Sequence, residues 1–546
     1  MKWNTLSAAA LTLVRQLGDE SNAWLGRRRK MNNSLRALAA LGEPSAIPKI
    51  VDFLLDDNRA AAREAAHAVG ALFARMSPDQ LPTLDERIRS DSDWGFPRDR
   101  WRKLSSCAID GLLESPTHSL ALGLAACHGS GYVRQNAVVC LDREITSGAE
   151  IPFLLLRLND WVSAVRHSAE HAIERRLTDT HRAAYLQNLS LVAQLRRRQR
   201  ASESPALAQI EALLRADAIA LVIGALASDE RGARRFGLSL ALDSLGGAEL
   251  AICRAVIERV VESNNPAERF RATCWLTKPT TTLRLQSQFL PRLLTDRSAA
   301  VRRAALGWFV ANDPDGRLAA LHDALLDESG MVRSLAQFHL PKLESIDLRG
   351  FYGEAIHHHG SRNLKAALGG LGETGRTEDA ELIVPLVDAP VPKIRKAALR
   401  ALAKLASEAH IETLINALQA NSPAVSRIAR IALTPLASRA GFDRLTTIFE
   451  SAGSEHVRLQ TLFLINELPK WAKLPVLIEA SAQDDGMLGR VAERFLRRWL
   501  AGFNRTHQIL PNKADMLRLR AALSAHACRL EPGIARELSA LQKSFP

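Results

Sequence analysis

The chain has 546 residues, more than one hydrophobic core sustains, so it divides into several domains or runs on as an array of repeats. Ala, Leu and Arg dominate while aromatic residues make up 5% with only three Tyr, which argues against β-sheet; 47% apolar and 24% charged residues argue against a disordered chain. A net charge of +13 favours acidic partners: nucleic acid, anionic surfaces or acidic proteins.

The apolar run Ala8 to Val14, broken by Thr12 and with no small-residue cleavage site before Arg15, predicts an opening helix rather than a secretory signal. Ala37 to Leu72 is the clearest single unit. Gly42 ends one helix, Pro44 and Pro48 stand where helix starts tolerate proline, and Asp56-Asp57 precede the next helix. Residues 85–103, with Trp94, Gly95, Pro97 and Trp101, predict an inserted polar aromatic loop. Arg196-Arg197-Arg198 and Ser202 to Pro205 break the rhythm again. The longest apolar run, Ala218 to Ala227, falls short of the roughly 18 to 20 residues that span a bilayer, so no integral membrane segment is expected. The six cysteines form no CxxC pair and mostly fall in apolar helical patterns, as buried reduced thiols would.

A pattern V-R-x-x-A, followed by an apolar helical run, returns along the chain at Val133-Arg134, Val165-Arg166, Val301-Arg302, Val332-Arg333, Ile394-Arg395 and Val457-Arg458. In the second half its second position is Arg271, Arg302, Arg333, Lys365, Arg395, Ser426, Arg458 and Gly489, a mean step of about 31 residues, the size of two short helices and two turns. Earlier copies at Arg63, Arg102, Arg134, Arg166 and Arg234 are spaced less evenly. An Asp usually stands shortly before the Arg: Asp160 and Arg166, Asp229 and Arg234, Asp296 and Arg302, Asp327 and Arg333, Asp388 and Arg395. Such an Asp caps the N–H groups that open the second helix and lies close enough to pair with the Arg.

With these motifs the chain resembles HEAT-repeat proteins, close to the bacterial HEAT-like or PBS-lyase-type repeat group, over about Leu35 to Leu500. The resemblance implies an all-α helical-repeat solenoid, an α-α superhelix of about a dozen repeats. In it the Asp and Arg residues above would form a hydrogen-bonded ladder between neighbouring repeats. The expected organisation is irregular repeats over 1–177 with the loop 85–103, a seam or decayed repeat at 178–217, regular repeats over 218–502, and capping helices over 503–546. The second helices would line a broad concave surface.

Motifs for chemistry are sparse. His357-His358-His359 is the one histidine cluster, but neighbours on a helix point about 100° apart and only Glu354 lies one turn away, so no metal site is expected. No His-Glu dipeptide is present, which removes the activity of the related deoxyhypusine hydroxylases. No G-x-S-x-G or Walker loop occurs, and Gly369 to Gly375 reads as a helix end rather than a phosphate cradle. HEAT-like DNA glycosylases use tryptophans and an acidic residue; Asp160-Trp161 matches superficially, but the ladder accounts for the Asp and packing at a turn for the Trp. No catalytic residue and no cofactor is therefore expected.

Basic residues gather in blocks: Arg27 to Lys30; Arg196, Arg197, Arg198 and Arg200; and Arg490, Arg494, Arg497 and Arg498. The last four share one helix stripe opposite Val491, Phe495 and Trp499, and suit phosphate or carboxylate partners. The function expected is a cytoplasmic, non-enzymatic scaffold or adaptor holding a protein partner on its concave face. The alternatives are a nucleic-acid-binding or DNA-repair-associated protein using the arginine-rich surface and, third, a repeat-fold enzyme. The sequence leaves the partner and the oligomeric state open.

Overall fold

The computed structural model describes residues 6–20, 27–90, 99–358, 361–405, 408–483, 486–503 and 508–545. Every regular element among them is a helix and no strand occurs. The fold is an all-α helical-repeat solenoid, and the chain divides into two compact units, Met1–Leu290 and Pro291–Pro546.

The first unit opens with the helix Ala8–Glu20, packed on Arg27–Leu41, which in turn packs on Arg59–Phe73. Gly42 follows Leu41 at φ +69°, the left-handed conformation that closes a helix and that a side chain would strain. The expected loop 85–103 is helical at both ends, in Leu81–Arg89 and Asp99–Arg102; its middle, with Trp94, Gly95 and Pro97, lies outside the described residues. Trp101 is buried, its backbone N–H donating to Asp52 and its carbonyl 2.9 Å from His128 Nε2. The helices Gly131–Glu144 and Ser163–Glu174 pack side by side, each after a shorter partner, His118–Ala125 and Ile151–Arg157. Four short helices, Arg182–Gln187, Leu189–Leu195, Gln199–Ser202 and Pro205–Arg215, come before regular pairs resume at Ala218–Ala227 with Arg231–Asp243.

In the second unit the second helices stack in chain order: Ala299–Asn312, Gly330–His339, Ser361–Thr374, Pro392–Leu405, Pro423–Leu433, Glu455–Ile465 and Met487–Gly502. One apolar cluster runs from Leu306 to Leu538, so each repeat completes its core on its neighbours. Two helices, Lys513–His526 and Pro532–Ser544, finish the unit. Gly369, Gly370 and Gly372 lie inside the helix Ser361–Thr374, not at its end as their clustering suggests. They let neighbours come close: a Cβ on Gly370 would stand 2.1 Å from the Tyr352 ring, and one on Gly372 would stand 2.8 Å from Ala401 Cα.

Three cysteines, Cys127, Cys140 and Cys253, are buried as expected, but Cys107, Cys274 and Cys528 are exposed, and all six are free thiols. No helix among the described residues is long and apolar enough to cross a membrane.

Candidate functional site

Each ladder arginine stands four residues past the N-cap of a second helix, where its long side chain reaches back over the entering turn. Arg134, Arg166, Arg269, Arg302, Arg333 and Arg395 make the same bond, Nη1 to the carbonyl oxygen six residues earlier, at 2.7 to 3.0 Å. The rest of the guanidinium is then free to point to the next repeat. Arg302 grips Asp327 with two bonds of 2.7 and 2.6 Å, Arg134 grips Asp160 at 2.8 and 2.9 Å, and Arg333 takes Glu373 at 3.1 and 2.6 Å. Asp160 and Asp327 are thus each held by the arginine of the repeat before, Arg134 and Arg302, while the arginine of their own repeat, Arg166 and Arg333, bonds the backbone carbonyl of the same residue; Arg302 likewise bonds the Asp296 carbonyl.

The aspartates also shape the turn. Asp160, Asp296 and Asp327 each accept from the N–H two residues on, ahead of the helix rather than within its first turn. Asp229 and Asp388 are exposed; beside Asp229 it is Glu230 that caps the helix, accepting from Ala233 N, and Arg234 reaches only to 3.6 Å from Glu268. In the repeat where the sequence points to Arg271, Arg269 holds the ladder bond. Its place four past Asn265, an N-cap whose side chain accepts from Ala267 N, was the available signal.

The basic stripe is as the helical period requires. On Met487–Gly502, Leu488, Val491, Ala492, Phe495, Leu496 and Trp499 are buried, while Arg490, Arg494, Arg497 and Arg498 are exposed. Arg497 donates to Glu493 at 2.8 Å, which holds its pKa above the usual arginine value. Arg196, Arg197, Arg198 and Arg200 are exposed too, with Arg196 at 3.2 Å from Glu211 and 5.6 Å from the Phe236 ring. Of the Arg27 to Lys30 block, Arg29 and Lys30 are exposed; His359 lies outside the described residues. Among the described residues no group of three or more His, Cys, Asp or Glu is placed to hold a metal.

A cavity of about 380 Å³ in the first unit is lined by Asp85, Arg89, Arg157, Asp160, Trp161, Arg198 and others. Trp161 is not packed at its turn: it is 66% exposed, with the Arg134 guanidinium 5.7 Å from its ring. Behind it Arg134 and Arg157 are buried, and the Asp160 carboxyl, despite its burial, is held below its usual pKa by Arg134, the Val162 N–H and Arg157. Burial, then the charges of Arg157 and Arg134, press the pKa of Arg89 down. Cys127, pressed upward by burial, is an inert thiol.

The family model described as HEAT repeats matches residues 32–97. HEAT repeats are thus present over that stretch. Among solved structures, yeast importin-β (Kap95p) aligns over 94% of this chain and 76% of its own, at 14% identity and a TM-score of 0.34. Kap121p aligns over 98% of this chain and 68% of its own, at 13% identity and a TM-score of 0.31. These likenesses are distant. No curated protein sequence matches the chain.

Proposed function

We propose that this HEAT-repeat chain is a non-enzymatic scaffold or adaptor, acting in the cytoplasm, that binds a protein partner along the face lined by its second helices. The observation that carries the reading is where large apolar side chains reach solvent. At the opening turns of second helices, Tyr132 is 80% exposed, Met331 47% and Met487 53%, and Val391 just ahead of Pro392–Leu405 is 43% exposed. Single exposed apolar residues are ordinary, but their return at or just ahead of the opening turns of second helices, in separate repeats of both units, is what binding of a protein along those helices requires.

Replacing Tyr132, Met331 and Met487 together by Ser tests it. The wild-type chain, used as bait in its native host, is expected to retain a stoichiometric protein at about 0.15 M salt; the triple variant should lose that protein while melting as the wild type does. A partner held equally by both chains would refute the assignment of the face.

The exposed stripe on Met487–Gly502 supports a second reading, contact with nucleic-acid phosphates, since four arginines on one solvent face can neutralise several phosphates at once.

A further inference from the structure

The cavity in the first unit is built around an imbalance of charge. Three guanidiniums, Arg89, Arg134 and Arg157, share two carboxylates, Asp85 and Asp160. Arg157 lies 2.7 Å from Asp85 and 3.0 Å from Asp160; Arg89 lies 3.1 Å from Asp85 and 3.4 Å from Asp160; Arg134 takes Asp160 with both arms. The two oxygens of Asp160 therefore serve five N–H donors: two from Arg134, one each from Arg157 and Arg89, and the backbone of Val162. A carboxylate offers about four lone-pair sites, so donors outnumber acceptors.

The shortage has a definite place. Arg157 is 1% exposed and its Nε has no hydrogen-bond partner among the described residues, although the side chain lines the cavity. A buried donor left unmade is costly, and a buried excess of positive charge more so, unless something supplies the missing acceptor. The lining also includes the exposed Arg198 and Arg200 against one further carboxylate in number, the exposed Glu86. Trp161 adds an apolar ring to the lining. At about 380 Å³ the space is that of a small ligand rather than a polymer groove.

We infer that this cavity binds the phosphate group of a small phosphorylated molecule, its oxygens taking up the guanidinium donors of Arg89 and Arg157, Arg198 and Arg200 completing the anion site, and Trp161 flanking the group that carries the phosphate. Guanidiniums suit this ligand because their fixed forks match phosphate oxygens in pairs. The site uses none of the residues tested for the partner face.

Calorimetry on the full chain with inorganic phosphate, adenosine monophosphate and adenosine tests the inference. Phosphate or the nucleotide should bind saturably with one site per chain, and adenosine should not. Tighter binding of the nucleotide, together with a fluorescence change that disappears in Trp161→Phe, identifies an ester as the ligand; equal affinities identify free phosphate. Arg89→Gln should weaken binding by about tenfold or more. Should that variant not fold, the exposed pair Arg198→Gln and Arg200→Gln carries the test, with a loss of several-fold expected. Absence of saturable binding by both phosphate and the nucleotide at millimolar concentration, or affinities unchanged in every variant, would overturn it.

Discussion

A side chain that satisfies its own turn and its neighbour's carboxylate at once ties two repeats together, and Arg302 does both. Its Nη1 bonds the Asp296 carbonyl while Nε and Nη2 hold Asp327, with the two side chains only 15% and 12% exposed; the bond to Asp327, against the penalty of burial, raises its pKa. Arg302→Ala should cost about 1 to 3 kcal/mol, since it strands a half-buried carboxylate. Among the described residues Arg395 bonds only the carbonyls of Ala389 and Pro390, so Arg395→Ala should cost less, about 0.5 to 1.5 kcal/mol. Urea melts of both variants measure the difference, and equal losses would show that the carboxylate adds nothing. The recurrence of Asp and Arg was readable from the sequence, but the choice of partner was not. It depends on stacking, which brings Asp327 to an arginine 25 residues earlier and lets Glu373, 40 residues on, stand in for an aspartate beside Arg333. The charge-rich cavity was hidden for the same reason: Asp85 and Arg89 lie in a stretch that reads as a loop, and Arg157 ends an otherwise apolar helix.

A helix carries its own legible pattern, and Met487–Gly502 shows why. Period 3.6 alone puts Val491, Phe495 and Trp499 inward and the four arginines outward, so the expectation and the fold coincide there. The glycines of Ser361–Thr374 show the converse, because whether a glycine ends a helix or admits a neighbour depends on what lies opposite it, here Tyr352 and Ala401. The arginine stripe gives a prediction at this scale. If it contacts phosphates, changing Arg490, Arg494, Arg497 and Arg498 to Gln should flatten the dependence of log affinity on log salt by up to about 3 to 4 units for duplex DNA. Arg497 is already engaged by Glu493 and lies 3.7 Å from Glu531, so it should contribute least. Exposed substitutions of this kind leave the fold and its stability nearly unchanged. An unchanged slope removes the nucleic-acid reading; sub-micromolar binding near 0.15 M salt that the variant abolishes would promote it over the scaffold.

Across the molecule, stability in a repeat array is a sum of local terms, because each unit is completed by the units on either side. The second unit fits that description: Pro423–Leu433 packs on Pro392–Leu405 before it and Glu455–Ile465 after it, and the apolar cluster continues through all three. Where the chain is cut should therefore matter more than how much is removed. Ending it at Gly441, a turn with φ +86° between Ala437–Ala440 and Phe442–Ser451, keeps the pair Ile411–Leu418 and Pro423–Leu433 whole. Ending it at Asn421 keeps the first helix of that pair but removes the second, uncovering Leu414, Ile415 and Leu418, which are otherwise buried. The Gly441 chain should melt cooperatively, with an unfolding enthalpy reduced in proportion to its length and little binding of a hydrophobic dye. The Asn421 chain, though only slightly shorter, should bind the dye strongly and aggregate at lower temperature. Were both truncations to lose all helical signal together, folding would be all-or-none across the unit and the additive picture of the repeats would fail.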